Sequence, residues 1–117
     1  MLNFEGKRVY LACGSTDMRK SINGLAEIVE GSFNLNPFED ALFVFCNRSR
    51  DRLKILTWNT DGYWLLFKRL EKGHFRWPAP GSDTTMTLTS EELSILLGGA
   101  QVELKLKRNE VFERKIS

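Results

Sequence analysis

A chain of 117 residues with 42% apolar and 27% charged residues has the size and composition of one soluble globular domain, which excludes a disordered tail. It is long enough to bury a core without disulfides or structural metals. The net charge of +2 excludes a strongly polycationic protein, so any recognition by charge has to come from local distribution.

In chain order, Arg8 to Cys13 (RVYLAC) is rich in β-branched and aromatic residues and ends at Gly14, which predicts a first strand. GSTDMRKSINGLAEIVEG follows. Met18, Ile22, Leu25, Ile28 and Val29 fall at helical spacing and form one apolar stripe. Ser15, Thr16 or Asp17 is the expected cap, and Gly31 the expected stop. Gly24 inside the pattern suggests close packing on a sheet. Residues 32–40 are a polar return with Pro37, pinned to the core by Phe33, Leu35 and Phe38.

ALFVFC, residues 41–46, is an unbroken apolar run and predicts a central strand covered on both faces. Asn47 to Asp51 (NRSRD) is a turn whose Asn, Ser and Asp can satisfy local backbone. Arg52 to Trp58 alternates as a half-solvated strand. Asp61-Gly62 signals a hairpin, and Tyr63 to Leu70 is its return strand. Glu71-Lys72-Gly73 turns again. His74 to Trp77 reads as a short edge segment stopped by Pro78. Thr84 to Leu88 alternates as another edge strand. Thr89 and Glu92 have capping-box spacing ahead of a helix bearing Leu93, Leu96 and Leu97. Val102, Leu104 and Leu106 suggest a strand to Lys107.

The expected architecture is α+β: an antiparallel β-meander packed against one main helix, with a second short C-terminal helix. Residues 1–107 form the single domain and 108–117 a charged, frayed tail. Cys13 and Cys46 sit inside apolar runs without metal-ligand spacing, so reduced buried thiols of a cytoplasmic protein are expected. No apolar run reaches transmembrane length, and the N-terminal residues lack the long apolar stretch of a signal peptide. No membrane association is expected.

VYLACGSTDMRKSINGLAEIV, then PFEDALFVFCNRSRDRLKILTWNTDGYWLLFKRLEKGHFRWP, then LTSEELSILLGG resembles the small accessory proteins encoded by bacterial insertion sequences of the insertion-sequence-66 type. These are the second open-reading-frame products, often labelled TnpB. The resemblance runs from Val9 to Gly99. It does not extend to the RNA-guided nuclease of the same label, which is several times longer and has acidic metal ligands and zinc cysteines absent here. It implies a role in transposition and DNA recombination alongside a separate transposase that performs the strand chemistry.

Between Asn47 and Arg76 there are eight basic and three acidic residues, so this window is +5 and the remainder −3. If strands 41–46, 52–58 and 63–70 form a meander, the turns 47–51 and 71–73 emerge at one end. Arg48, Arg50 and Arg52 would then meet Lys68, Arg69, Lys72 and Arg76. Arginine forks suit phosphate oxygens, and the interleaved Trp58, Trp64, Phe75 and Trp77 could stack on unpaired bases if exposed. Arg19 and Lys20, in the loop CGSTDMRKS, are second-rank DNA contacts. That loop resembles an anion-binding helix start only in outline, because the GxxxxGK[ST] pattern is absent.

The carboxylates Asp17, Asp51 and Asp61 sit where caps and turns need them, and His74 has no catalytic companion at readable spacing. No catalytic residue, metal, cofactor or small-molecule substrate is therefore assigned. The expected function is a non-enzymatic accessory factor contacting DNA through a basic sheet end. The alternative is an adaptor docking the transposase or another accessory protein of the same element through exposed aromatics, with Phe75 and Trp77 as anchors.

Overall fold

The computed structural model describes residues 4–98. They form strands β1 (Arg8–Ala12), β2 (Ala41–Cys46), β3 (Arg52–Asn59), β4 (Gly62–Arg69) and β5 (Thr85–Leu88), with helices α1 (Ile22–Glu27) and α2 (Ser90–Leu97). The strands make one sheet in the order β4-β3-β2-β1-β5. All six residues of β2 are buried, as an uninterrupted apolar run requires when both faces are covered.

The period-2 alternation of each strand sorts the core into two layers. Val9, Leu11, Leu42, Val44, Cys46, Leu53 and Ile55 face one side with Phe75 and Leu93 of α2. Tyr10, Ala12, Ala41, Phe43, Phe45 and Leu56 face the other with Leu25 of α1 and Val29. The fold is α+β, and β2-β3-β4 is an antiparallel meander. One pair departs from the antiparallel expectation: β1 runs parallel to β2, with Val9 opposite Leu42. α1 and the 33–40 return supply the long crossover that a parallel pair needs.

Several local expectations are corrected. Ser15, Thr16 and Asp17 do not cap α1; its N-cap is Ser21, without a side-chain bond. Asp17 is instead held by Arg19. Gly24 does not allow a close approach to the sheet, since a Cβ there would meet the Lys20 side chain at 3.4 Å. Gly31 does not stop the helix but lies inside a π-helical turn, Ile28–Ser32. The chain turns left-handed later, at Asn34 (φ 57°).

Phe33 and Leu35 pack on the core, whereas Phe38 is 56% exposed. It packs edge-on against Trp58 with centroids 4.8 Å apart, and lies beside Tyr63. His74 to Trp77 is not an edge strand. It lies across the α2 face, because Phe75 is drawn fully into the core. The Thr89–Glu92 capping box is formed, and β5 is an edge strand beside β1. The expected strand to Lys107 and the 108–117 tail lie outside the described residues. Among the described residues, no helix is long and apolar enough to cross a membrane.

Candidate nucleic-acid interface

Strand directions decide which loops meet. β1 and β2 are parallel, and each remaining strand is antiparallel to its neighbour. The carboxyl ends of β1, β2 and β4 therefore share one end of the sheet with the starts of β3 and β5. Segments 13–20, 47–54 and 68–84 lie there, with ten basic residues against four acidic ones, Asp17, Asp51, Glu71 and Asp83.

Backbone hydrogen bonds join the two basic turns into one platform. Leu70 N–H donates to the Asp51 carbonyl and Phe75 N–H to the Arg50 carbonyl, each at 2.7 Å. The His74 ring Nδ1 lies 2.8 Å from the Ser49 carbonyl; a carbonyl only accepts, so Nδ1 carries the proton. Inside the first turn Asn47 is the organiser. Its Oδ1 accepts from the Asp51 and Arg52 N–H groups at 3.0 and 3.1 Å, and its Nδ2 donates to Asp51 Oδ1 at 2.8 Å. That amide, with the Arg52 charge behind it, lowers the Asp51 pKa.

The Arg19–Lys20 turn joins the same end. Thr16 N–H donates to the Cys46 carbonyl at 2.7 Å. Lys54 Nζ donates to the carbonyls of Met18 and Lys20 at 2.8 Å each. All nine basic residues singled out from the sequence therefore belong to segments at this end, and Lys54 adds a tenth that the sequence reading passed over as a strand residue.

Their environments differ. Arg19 is forked onto Asp17, with NH2 to Oδ2 at 2.8 Å, and these bonds pull the exposed carboxyl down to about 2. Arg69 reaches Glu71 at 2.9 Å, and Arg52 reaches Asp51 at 3.5 Å. Arg48, Arg50, Lys68 and Lys72 are exposed and have no carboxylate within ion-pair distance among the described residues. Arg76 is exposed as well.

Two features run against simple stability. Arg52 lies directly opposite Arg69, a like-charge pair that weakens a sheet unless offset. Arg50 has φ 60°, a left-handed conformation that a side chain with a Cβ disfavours.

The aromatics divide differently from expectation. Phe75 is fully buried and offers nothing to a partner; its phenyl ring has left solvent for the core. Trp77 is partly buried, and its Nε1–H donates to the Ala12 carbonyl at 2.8 Å. Among the described residues, the large rings left exposed are Phe38, Trp64 and Phe67. A cleft of about 360 Å³ also opens between the 13–17 loop, Phe33 and the 80–84 loop. Lys20 shares it with Asp17 and Asp83, so its charge does not favour a phosphate. Among the described residues no group of three or more His, Cys, Asp or Glu side chains could hold a metal ion.

Comparison with known proteins assigns the chain to a family. A family model described as IS66 Orf2 like protein matches residues 7–107. Two uncharacterized proteins of Sinorhizobium fredii (strain NBRC 101917 / NGR234) are similar. The first, y4hO, is 39% identical over 92 residues, which is 79% of each chain. The second, y4jC, is 34% identical over 94 residues, 80% of each. No solved structure matches. The family match takes in every described strand and helix, including the turns of the basic platform. This chain belongs to the IS66 Orf2-like family, with an accessory role in insertion-sequence transposition.

Proposed function

We propose that this protein is a non-enzymatic accessory factor that contacts DNA through the basic end of its sheet, in the cytoplasm, while a separate transposase performs the strand chemistry. One observation carries the reading: the 47–51 and 70–76 segments are hydrogen-bonded together, and with the end of β4 they gather four cations, Arg48, Arg50, Lys68 and Lys72, that have no carboxylate within ion-pair distance among the described residues. A charge cluster that the fold does not use is the footprint of a polyanionic partner. Of the two anchors expected for the adaptor alternative, Phe75 is buried and Trp77 is half-buried, so that reading would have to use other rings.

The test is a mobility shift on duplex DNA from an insertion-sequence end at 50 and 200 mM salt. Neutralising four phosphates gives a log–log slope of about −3.6, so affinity should fall roughly 100-fold between these conditions. Absence of a shift at 50 mM would sink the proposal. Replacing Arg48, Arg50 and Arg52 together with alanine should weaken binding while the protein stays folded. An unchanged affinity would remove that turn from the interface.

A further inference from the structure

We propose that the basic end also holds a single-stranded stretch of DNA, with one unpaired base stacked on the ring of Phe67. The inference rests on the DNA reading above and names the form of DNA and the side chain that takes the base.

β4 is an edge strand of the sheet. Its alternate residues Tyr63, Leu65 and Phe67 point to the face that carries α1. Tyr63 and Leu65 pack against the core layer there. Phe67, nearer the basic end, is 56% exposed and has no ring partner among the described residues. Phe38 is as exposed, but it is accounted for by its contacts with Trp58 and Tyr63. Phe67 has no such account.

Its neighbours are cations, two of which, Arg69 and Arg52, also carry the carboxylates Glu71 and Asp51 at their sides. Register places Lys54 directly opposite Phe67 and Arg52 directly opposite Arg69. Directly opposed side chains start about 5 Å apart and diagonal ones about 7–8 Å apart. One ring is thus flanked by Lys54 across the ladder, by Arg69 two residues along, and by Arg52 on the diagonal. Lys54 is anchored to the Met18 and Lys20 carbonyls, so the Arg19–Lys20 turn stands on the far side.

A nucleotide fits this arrangement chemically. It offers a flat π face beside an anionic phosphate, and an exposed aromatic among guanidinium groups meets both. In a duplex the base faces are occupied by stacking, and a ring reaches one only by prying a base step apart, so the unpaired strand is the form this ring favours. An acidic peptide or an anionic lipid surface would satisfy the cations without needing the ring. Trp64, the other exposed aromatic of β4 at 48%, faces the opposite side of the sheet. It pairs with Thr57 and has Leu66 as its same-face neighbour, so it lacks this ring of charge.

The experiment uses the full chain and fluorescence anisotropy at 50 mM salt. The probes are a labelled 15-nucleotide single strand and its duplex. Phe67→Ala should weaken single-strand binding five- to 150-fold, equivalent to about 1–3 kcal/mol for one stacked base. Duplex affinity should stay within twofold. Phe67→Trp should keep single-strand affinity, with its added indole emission quenched on binding. Thermal unfolding checks that both variants are folded, as expected for an exposed position. The assignment of Phe67 is overturned if the duplex binds but Phe67→Ala leaves single-strand binding unchanged, or weakens both forms equally. If wild type binds neither probe, the DNA reading itself fails and this proposal with it.

Discussion

Replacing Arg50 with glycine separates what the fold needs from what a ligand needs. Arg50 is left-handed at φ 60°. Its structural work is done by backbone: its N–H donates to the Asn47 carbonyl at 3.1 Å, and its carbonyl accepts from Phe75 at 2.7 Å. Glycine keeps both bonds. It removes a left-handed penalty of about 1–2 kcal/mol and adds roughly 0.5–1 kcal/mol of unfolded-state freedom. The net effect on stability should lie between no change and a gain of about 1.5 kcal/mol, read from urea denaturation followed by circular dichroism. On duplex DNA the same change deletes one phosphate contact. Affinity should fall about eightfold at 0.1 M salt, and the log–log salt slope should flatten by about 0.9. A destabilisation above about 1 kcal/mol would show that the guanidinium itself holds the turn. A stable variant with unaltered DNA affinity would leave the left-handed arginine without a function.

Three further outcomes follow from the geometry. Phe75→Ala should cost about 3–5 kcal/mol in chemical denaturation, because the ring is fully buried in the α2-face core; Phe75→Leu should cost less than about 1.5 kcal/mol. Asp17 should titrate at about 2 by carboxyl-detected NMR, and Arg19→Ala should return it toward 3.8. Its folded pKa is the lower one, so its contribution to stability is present above about pH 4 and is lost as the pH falls toward 2. Cys46, whose thiol burial pushes up to about 12, should resist a thiol reagent at pH 8 until the protein unfolds. Cys13, partly exposed, should react in the native state, though slowly because burial raises its pKa as well.

Much of the fold was legible because the signals were local. The unbroken ALFVFC run marks the doubly covered centre of the sheet, and the Thr89–Glu92 spacing marks a real capping box. The shared end of the two basic turns followed from strand alternation alone. What escaped was non-local. The parallel β1–β2 pair depends on where the crossover lands, which no residue in either strand announces. Phe75 reads like any aromatic beside arginines; its burial depends on the segment folding over the α2 face. Phe67 was missed for the opposite reason. In YWLLFKRL it looks like a core position, and only its place beyond the cover of α1, on an edge strand, leaves it in solvent. Lys54 was legible as a strand residue, but its role in fastening the Arg19–Lys20 turn was not.

The low net charge hides a division of labour between the two ends of the sheet. At the far end charges are employed by the fold. Lys7 pairs with Asp40, and Arg8 with Glu39 at 3.8 Å. Glu91 and Glu92 sit in the first turn of α2, where the helix dipole favours them. At the near end Arg48, Arg50, Lys68 and Lys72 have no such employment among the described residues. β4 has eight residues, about 24 Å at the usual rise per residue. The Debye length at 0.1 M salt is about 10 Å, so the acidic far end does not cancel the basic near end in solution. A polyanion approaching that end meets an excess of positive charge rather than the nearly neutral total, and it is the strand directions, not the composition, that create this difference.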